Sequence, residues 1–175
     1  MNNHYIILID VSYSMSSHIH KFVLAINKFL HSLKQQNRYN NTYITVGQFS
    51  HHLRFICECK NINEIDYFDI KDFTVDGTTA LYDAIYKTIK LTKDIPANTN
   101  MFIITDGDDT CSFYSTKEDI DIMMNKMIEE KKWNIIHCNV DMNTFNVPTI
   151  KYDMDDLSNI FDKISLYDKK KCVEI

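Results

Sequence analysis

The sequence predicts an α/β protein built on a mainly parallel sheet, and three observations carry that expectation. Short, uniformly apolar runs occur at residues 5–9 and 101–104, and each is followed closely by an aspartate, Asp10 or Asp106. Such runs suit strands buried on both faces, as in parallel sheets. Between the strand-like runs, apolar residues recur every three or four positions, which marks amphipathic helices. Strands alternating with helices imply βαβ units and right-handed crossovers.

Each element has its own justification. Tyr5-Ile6-Ile7-Leu8-Ile9 is the first buried strand. Ile19, Phe22, Val23, Ile26, Phe29, Leu30 and Leu33 form one face of a long helix, with Ser16 or Ser17 suited to its N-cap. Residues 37–41 make a polar turn. The β-rich stretches 43–49 and 53–59 are separated by a short gap and predict an antiparallel hairpin at a sheet edge. Leu81, Ile85, Ile89 and Leu91 mark a second helix, closed before Pro96. Residues 101–105 form a further buried strand. Ile120, Met123, Met124, Met127 and Ile128 define a third helical face, where packing is the expected role of the methionines. Trp133 opens a strand over 133–140, and 149–152 is a short edge strand. Leu157, Ile160, Phe161 and Ile164 form a last helix. The chain reads as one domain over 1–168 with a short basic tail over 169–175.

Composition narrows the class. The 175 residues fit a single domain, since domains commonly run about 100–200 residues. With 45% hydrophobic and 25% charged residues, the chain is neither disordered nor collagen-like. Nineteen Lys and Arg against 24 Asp and Glu give a net charge of −5, which argues against a globally basic nucleic-acid binder. Five cysteines without a regular framework read as reduced thiols. Cys57 and Cys59 would share one face of a strand. No basic leader and no stretch near the roughly 18 apolar residues of a membrane span is present, so the expectation is an intracellular, cytoplasmic protein without a signal peptide. Cys172-Val173-Glu174-Ile175 has the outline of a prenylation box, but Glu174 stands where an aliphatic residue belongs.

The chemistry-bearing residues cluster after strands, where open α/β sheets bind ligands. Asp10-Val11-Ser12-Tyr13-Ser14-Met15 follows the first strand. Asp106-Gly107-Asp108-Asp109 follows the strand at 101–105. Gly77-Thr78-Thr79-Ala80-Leu81-Tyr82-Asp83-Ala84 opens the second helix. Together they offer carboxylates and hydroxyls, all hard oxygen donors, which suit Mg²⁺ or Mn²⁺ better than Zn²⁺. Taken singly, each residue is an ordinary cap or turn residue; the set of three loops is what points to a metal. An alternation such as Asp-x-Ser-x-Ser on an extended loop projects its side chains to one side. Gly77 and Gly107, two of only three glycines, suggest backbone demands in these loops. His18, His20, His51 and His52 lack any ligand spacing and read as exposed and neutral. Asp83 suits a helix start.

These three stretches resemble the metal-ion-dependent adhesion site, or MIDAS, of von Willebrand factor A domains, and the resemblance runs in the right order over almost the whole chain. It implies a Rossmann-like three-layer sandwich: a mostly parallel six-stranded sheet with one antiparallel edge strand and helices on both faces. It implies that Ser12, Ser14 and Thr79 bind a metal through their hydroxyls, with Thr78 as the favoured helix N-cap. Asp10 and Asp106 would bind directly or through water. The cofactor would be Mg²⁺, with Mn²⁺ or Ca²⁺ as substitutes, and the partner a protein presenting Asp or Glu. Tyr13 stands where the family commonly has glycine, and with Asp108 and Asp109 it would form the rim. The chain resembles stand-alone intracellular members of the family. Two other readings compete: a Mg²⁺-dependent phosphohydrolase with Asp10 as nucleophile, and a metal-free structural adaptor. Against the first, no nucleophile paired with a base and no phosphate-cradling glycine loop is visible.

Overall fold

The computed structural model describes residues 2–35, 41–131, 133–139 and 145–151. The expected helix around Leu157–Ile164, the basic tail with Cys172, and most of the polar turn at 37–41 lie outside the described residues. The described chain runs β1 (Asn3–Asp10), α1 (Ile19–Gln35), β2 (Thr42–Phe49), β3 (Leu53–Asn61), α2 (Leu81–Thr92), β4 (Asn98–Ile104), α3 (Lys117–Lys131), β5 (Asn134–Asn139) and β6 (Thr149–Lys151). The six strands form one sheet in the order β3-β2-β1-β4-β5-β6. All neighbours pair in parallel except β2 and β3, the antiparallel hairpin at the edge.

The central strand explains itself. Ile6, Ile7, Leu8 and Ile9 are fully buried, with Ile7 and Ile9 in one core and Ile6 and Leu8 in the other. Each such side chain contributes about 1.5–3 kcal/mol relative to exposure, so β1 anchors both layers. On one face α1 buries all seven apolar residues that the periodicity marks. Ile62, Ile65 and Phe73, from the segment after β3, complete that core. On the opposite face α2 and α3 pack Leu81, Ile85, Ile89, Ile120, Met124 and Met127 against Leu8, Met101 and Ile103.

Four local expectations are corrected. Helix α1 starts at Ile19, and the first turn bond runs from the Phe22 N–H to the His18 carbonyl. The cap position is therefore His18, while Ser16 closes the preceding 3-10 turn by donating to the Tyr13 carbonyl. Leu91 is 64% exposed, because Thr88 and Thr92 take the inward positions of α2. Their hydroxyls donate to the carbonyls of Ala84 and Thr88 at 2.8 and 2.7 Å, so burial leaves them satisfied. Cys57 and Cys59 do not share a face: Cys59 adopts φ +43 and is exposed, while Cys57 is buried, and both thiols are free. Among the histidines, His18 is half-buried rather than exposed, and His4 and His137 are fully buried.

Candidate metal centre

The topology creates the crevice. From β1 the chain crosses to β2 on one side, and β4 joins β1 on the other. The carboxyl ends of β1 and β4 thus flank the point where the strand order reverses, where open sheets bind ligands. Asp10 is the last residue of β1, and Thr105 and Asp106 follow β4 directly.

The first loop is pinned at both ends. The Val11 N–H donates to the Phe49 carbonyl at 2.8 Å, and the fully buried Met15 donates its N–H to the Ser12 carbonyl. This closes a 3-10 turn over Tyr13–Met15, so the loop is extended only as far as Ser12. The serine side chains still meet, since their hydroxyl oxygens lie 3.1 Å apart. The Ser14 hydroxyl then donates to Asp106 Oδ1 at 2.9 Å. Asp10 accepts the Ser12 N–H on Oδ1 at 2.8 Å and the Thr105 hydroxyl on Oδ2 at 2.7 Å.

The threonine loop is stitched to the other two. The Tyr13 N–H donates to the Gly77 carbonyl, and the Asp76 N–H to the Val11 carbonyl. Thr110 and Cys111 donate their N–H groups to the Thr79 carbonyl, and the Thr110 hydroxyl receives the Thr79 N–H. Thr79 is buried and no hydrogen bond among the described residues engages its hydroxyl; Thr78 is exposed and donates its hydroxyl to Cys111 Sγ. Gly77 has φ +61, with the His51 ring lying where a side chain would stand. Gly107, by contrast, has open space and no positive φ, so no backbone demand explains it.

Thus Asp10, Ser12, Ser14 and Asp106 are joined through direct hydrogen bonds, and Thr79 is tied to them through its backbone neighbours. Thr78 does not cap α2. The cap position falls on Ala80, which has no capping side chain. Asp109 and Ser112 do that work: Asp109 Oδ1 accepts the Tyr82 N–H, and Ser112 Oγ accepts the Asp83 N–H. Asp109 is therefore a structural cap and not a solvated rim residue. Tyr13, 67% exposed, and the exposed Asp108 remain on the surface. Asp83 is structural for a different reason than helix charge. Its buried carboxylate accepts the N–H groups of Phe113 and Tyr114, both at 3.0 Å.

Burial pushes the Asp10 carboxyl above its usual range, and the nearby Asp106 charge adds to the rise, while hydrogen bonds from Thr105 and Ser12 pull the other way. A carboxylate held out of water beside a second acid is an environment that a cation relieves. The donor set fits a hard divalent ion: two carboxylates and neutral hydroxyls, all oxygen. Among the described residues no three His, Cys, Asp or Glu side chains converge as a nitrogen- and sulfur-rich site would require. Thr105, Thr110 and Ser112 escape sequence reasoning because their partners lie up to 95 residues away in the chain.

No protein-family model matches the sequence, and no curated protein is significantly similar to it. Solved structures are similar in fold. A von Willebrand factor type A protein from Catenulispora acidiphila superposes with a TM-score of 0.67 at 14% identity, over 93% of this chain and 42% of that one. The ArnB paralog VWA2 from Sulfolobus acidocaldarius gives 0.61 at 18% identity, over 90% and 43%. Proximal thread matrix protein 1 from the mussel byssus, with a zinc-occupied MIDAS motif, gives 0.62 at 14% identity, over 93% and 44%. This chain spans less than half the length of each. The architecture is a Rossmann-like sheet with a candidate site at its switch point. More particularly, the chain has the von Willebrand factor A fold.

Proposed function

We propose that the chain is a divalent-cation-dependent protein-binding module, with Mg²⁺ as the ion and Asp10, Ser12, Ser14, Thr79 and Asp106 as its holders. The observation that carries this reading is the hydrogen-bonded run Asp10–Ser12–Ser14–Asp106, drawn from two loops at the carboxyl ends of adjacent strands. When bound, the ion would supply an electrophilic centre, to which a Glu or Asp carboxylate of a partner is suited. The chain's own residues prepare that centre. Thr105 and the Ser12 N–H fix both oxygens of Asp10. Thr110 and Cys111 hold the Thr79 backbone in place. The serine and threonine hydroxyls would add donors without adding charge to that of Asp10 and Asp106.

The same geometry disfavours the phosphohydrolase reading. Asp10 is fully buried with a hydrogen bond on each oxygen, which leaves it poorly placed to attack a substrate.

The surroundings are acidic. Burial raises the Tyr82 hydroxyl pKa, and Asp109, Asp108, Glu118 and Asp121 add to the rise. Attraction of an acidic partner therefore depends on the ion. The test is thermal unfolding with millimolar Mg²⁺ or Mn²⁺ against EDTA. A ligand of the folded state at a hundredfold excess over its Kd stabilises by about 2.7 kcal/mol. The expected result is a higher Tm with metal, lost in Asp10→Ala and reduced in Thr79→Ala, which removes a donor without changing charge. An equal rise in Asp10→Ala would place the ion elsewhere.

A further inference from the structure

The turn between β2 and β3, at Ser50–His52, touches two of the three loops of the candidate site. The Val11 N–H donates to the carbonyl of Phe49, the last residue of β2, at 2.8 Å. The Ala80 N–H donates to the Ser50 carbonyl at 2.7 Å, and Ser50 is itself buried. One turn at the sheet edge thus supports both the loop of Ser12 and Ser14 and the loop of Thr79. Nothing local marks it for this role, because His51 and His52 lack any ligand spacing.

His51 supplies a contact that the hydrogen bonds leave out. On the β4 side, Thr110 and Cys111 fasten the Thr79 backbone at both its N–H and its carbonyl. On the β2 side, the chain approaches Thr79 through Gly77. Glycine populates left- and right-handed backbone about equally, so nothing in Gly77 itself selects its φ of +61. The His51 ring occupies the space that a Gly77 side chain would take, and so closes the room into which the loop would otherwise turn. The ring has supports of its own. The His52 ring lies edge-on to it with centroids 4.5 Å apart, and Asp76 Oδ2 lies 3.7 Å from its Nε2. The two side chains of that pair are 40% and 55% exposed, and pairs of this kind contribute little. The contact of the ring with Gly77 is therefore the one that matters.

We propose that the β2–β3 turn is a fourth loop of the metal centre and that His51 is a positioning residue. Its ring against Gly77 fixes the threonine loop and so holds for the ion the Thr79 hydroxyl, which no hydrogen bond among the described residues engages. This inference rests on the metal-dependent reading above.

Titration of the full chain with Mn²⁺, followed through the paramagnetic resonance of the free ion, tests it. His51→Ala should weaken Mn²⁺ binding about tenfold, the scale on which residues behind a ligand act on metal affinity. His51→Asn, a side chain suited to turns that also lacks the ring, should do the same, and it serves if the alanine variant does not fold. His51→Phe keeps a ring and cannot pair with Asp76, and it should restore binding. In a Thr79→Ala background, His51→Ala should cost nothing further, because both changes remove the same donor. A residue that only stabilised the fold would lower the Tm of the metal-free chain and leave the Mn²⁺ affinity of the folded chain, checked by circular dichroism, unchanged. Wild-type affinity in the alanine and asparagine variants, no recovery in His51→Phe, or a loss that adds to that of Thr79→Ala overturns the role of His51 and leaves the metal reading standing. Mn²⁺ binding absent from the wild type, or equal in Asp10→Ala, overturns the metal reading and the role of His51 with it.

Discussion

At the scale of residues, the candidate site was legible in part because the motif at 10–15 is contiguous: Asp10, Ser12 and Ser14 lie within one turn of chain, so their meeting needs no knowledge of the fold. Asp106 joins them because β1 and β4 are neighbours, which the alternation of strands and helices suggested without fixing. Thr105, which clamps Asp10, gives no local signal, since a threonine ending a buried strand is ordinary β-former chemistry. Gly77 was legible as a backbone demand, and its reason emerges only from the packing of His51. An added Cβ would come within 2.1 Å of the His51 ring at φ +61. Gly77→Ala should therefore destabilise the chain by about 1–2 kcal/mol for the left-handed backbone and further for the clash. The double variant Gly77→Ala/His51→Ala should recover the clash and not the backbone cost. Urea unfolding of the two variants separates the parts, and equal stability of the single and double variants would show that His51 yields freely.

At the scale of elements, the strands and helices among the described residues followed from periodicity with small errors at their ends, and each error has a physical cause. The 3.6-residue pattern placed Leu91 near the apolar stripe of α2, but two back-bonded threonines fill the buried positions instead. The helix caps were less legible. The amides of α2 are met by Asp109 and Ser112, far along the chain, where a search for a neighbouring Ser or Thr finds Thr78 and Thr79. That exchange makes the segment 109–114 an extension of the helix start. Asp83 is its principal tie, accepting two amides in a buried setting. Hydrogen bonds to charged groups contribute about 1.5–3 kcal/mol each, and orphaned donors cost a similar amount. Asp83→Ala should therefore destabilise the chain by about 3 kcal/mol. Amide hydrogen exchange should show protection lost at Phe113 and Tyr114 while the β1 amides keep theirs. Retained protection at those two amides would mean that the segment is held by its other contacts.

At the scale of the whole molecule, a sheet buried on both faces leaves little room for charge in its interior, yet His4 and His137 lie there fully buried. His4 shares a hydrogen bond of 2.8 Å with Thr45, while neither ring nitrogen of His137 has a partner among the described residues and its ring sits edge-on to Phe145. Burial lowers both pKa values from 6.5 to about 4, with Asp108 opposing slightly at His137. Each histidine stays neutral in the folded chain until pH approaches 4, whereas in the unfolded chain it takes up a proton near 6.5. Between those values the unfolded state binds more protons, so stability is full above 6.5 and falls as the pH drops. From pH 7 to pH 5 the loss amounts to about 2 kcal/mol per histidine. Asp10, raised by burial, acts in the opposite sense, so the difference between wild type and a variant isolates one group. His137→Leu removes a ring that makes no hydrogen bond and keeps an apolar side chain in the core. It should leave stability at pH 7 equal or higher and cut the loss between pH 7 and pH 5 by about 2 kcal/mol. Urea midpoints of both proteins at the two pH values give the comparison, and parallel losses would show that His137 reaches water or a proton acceptor in the folded state.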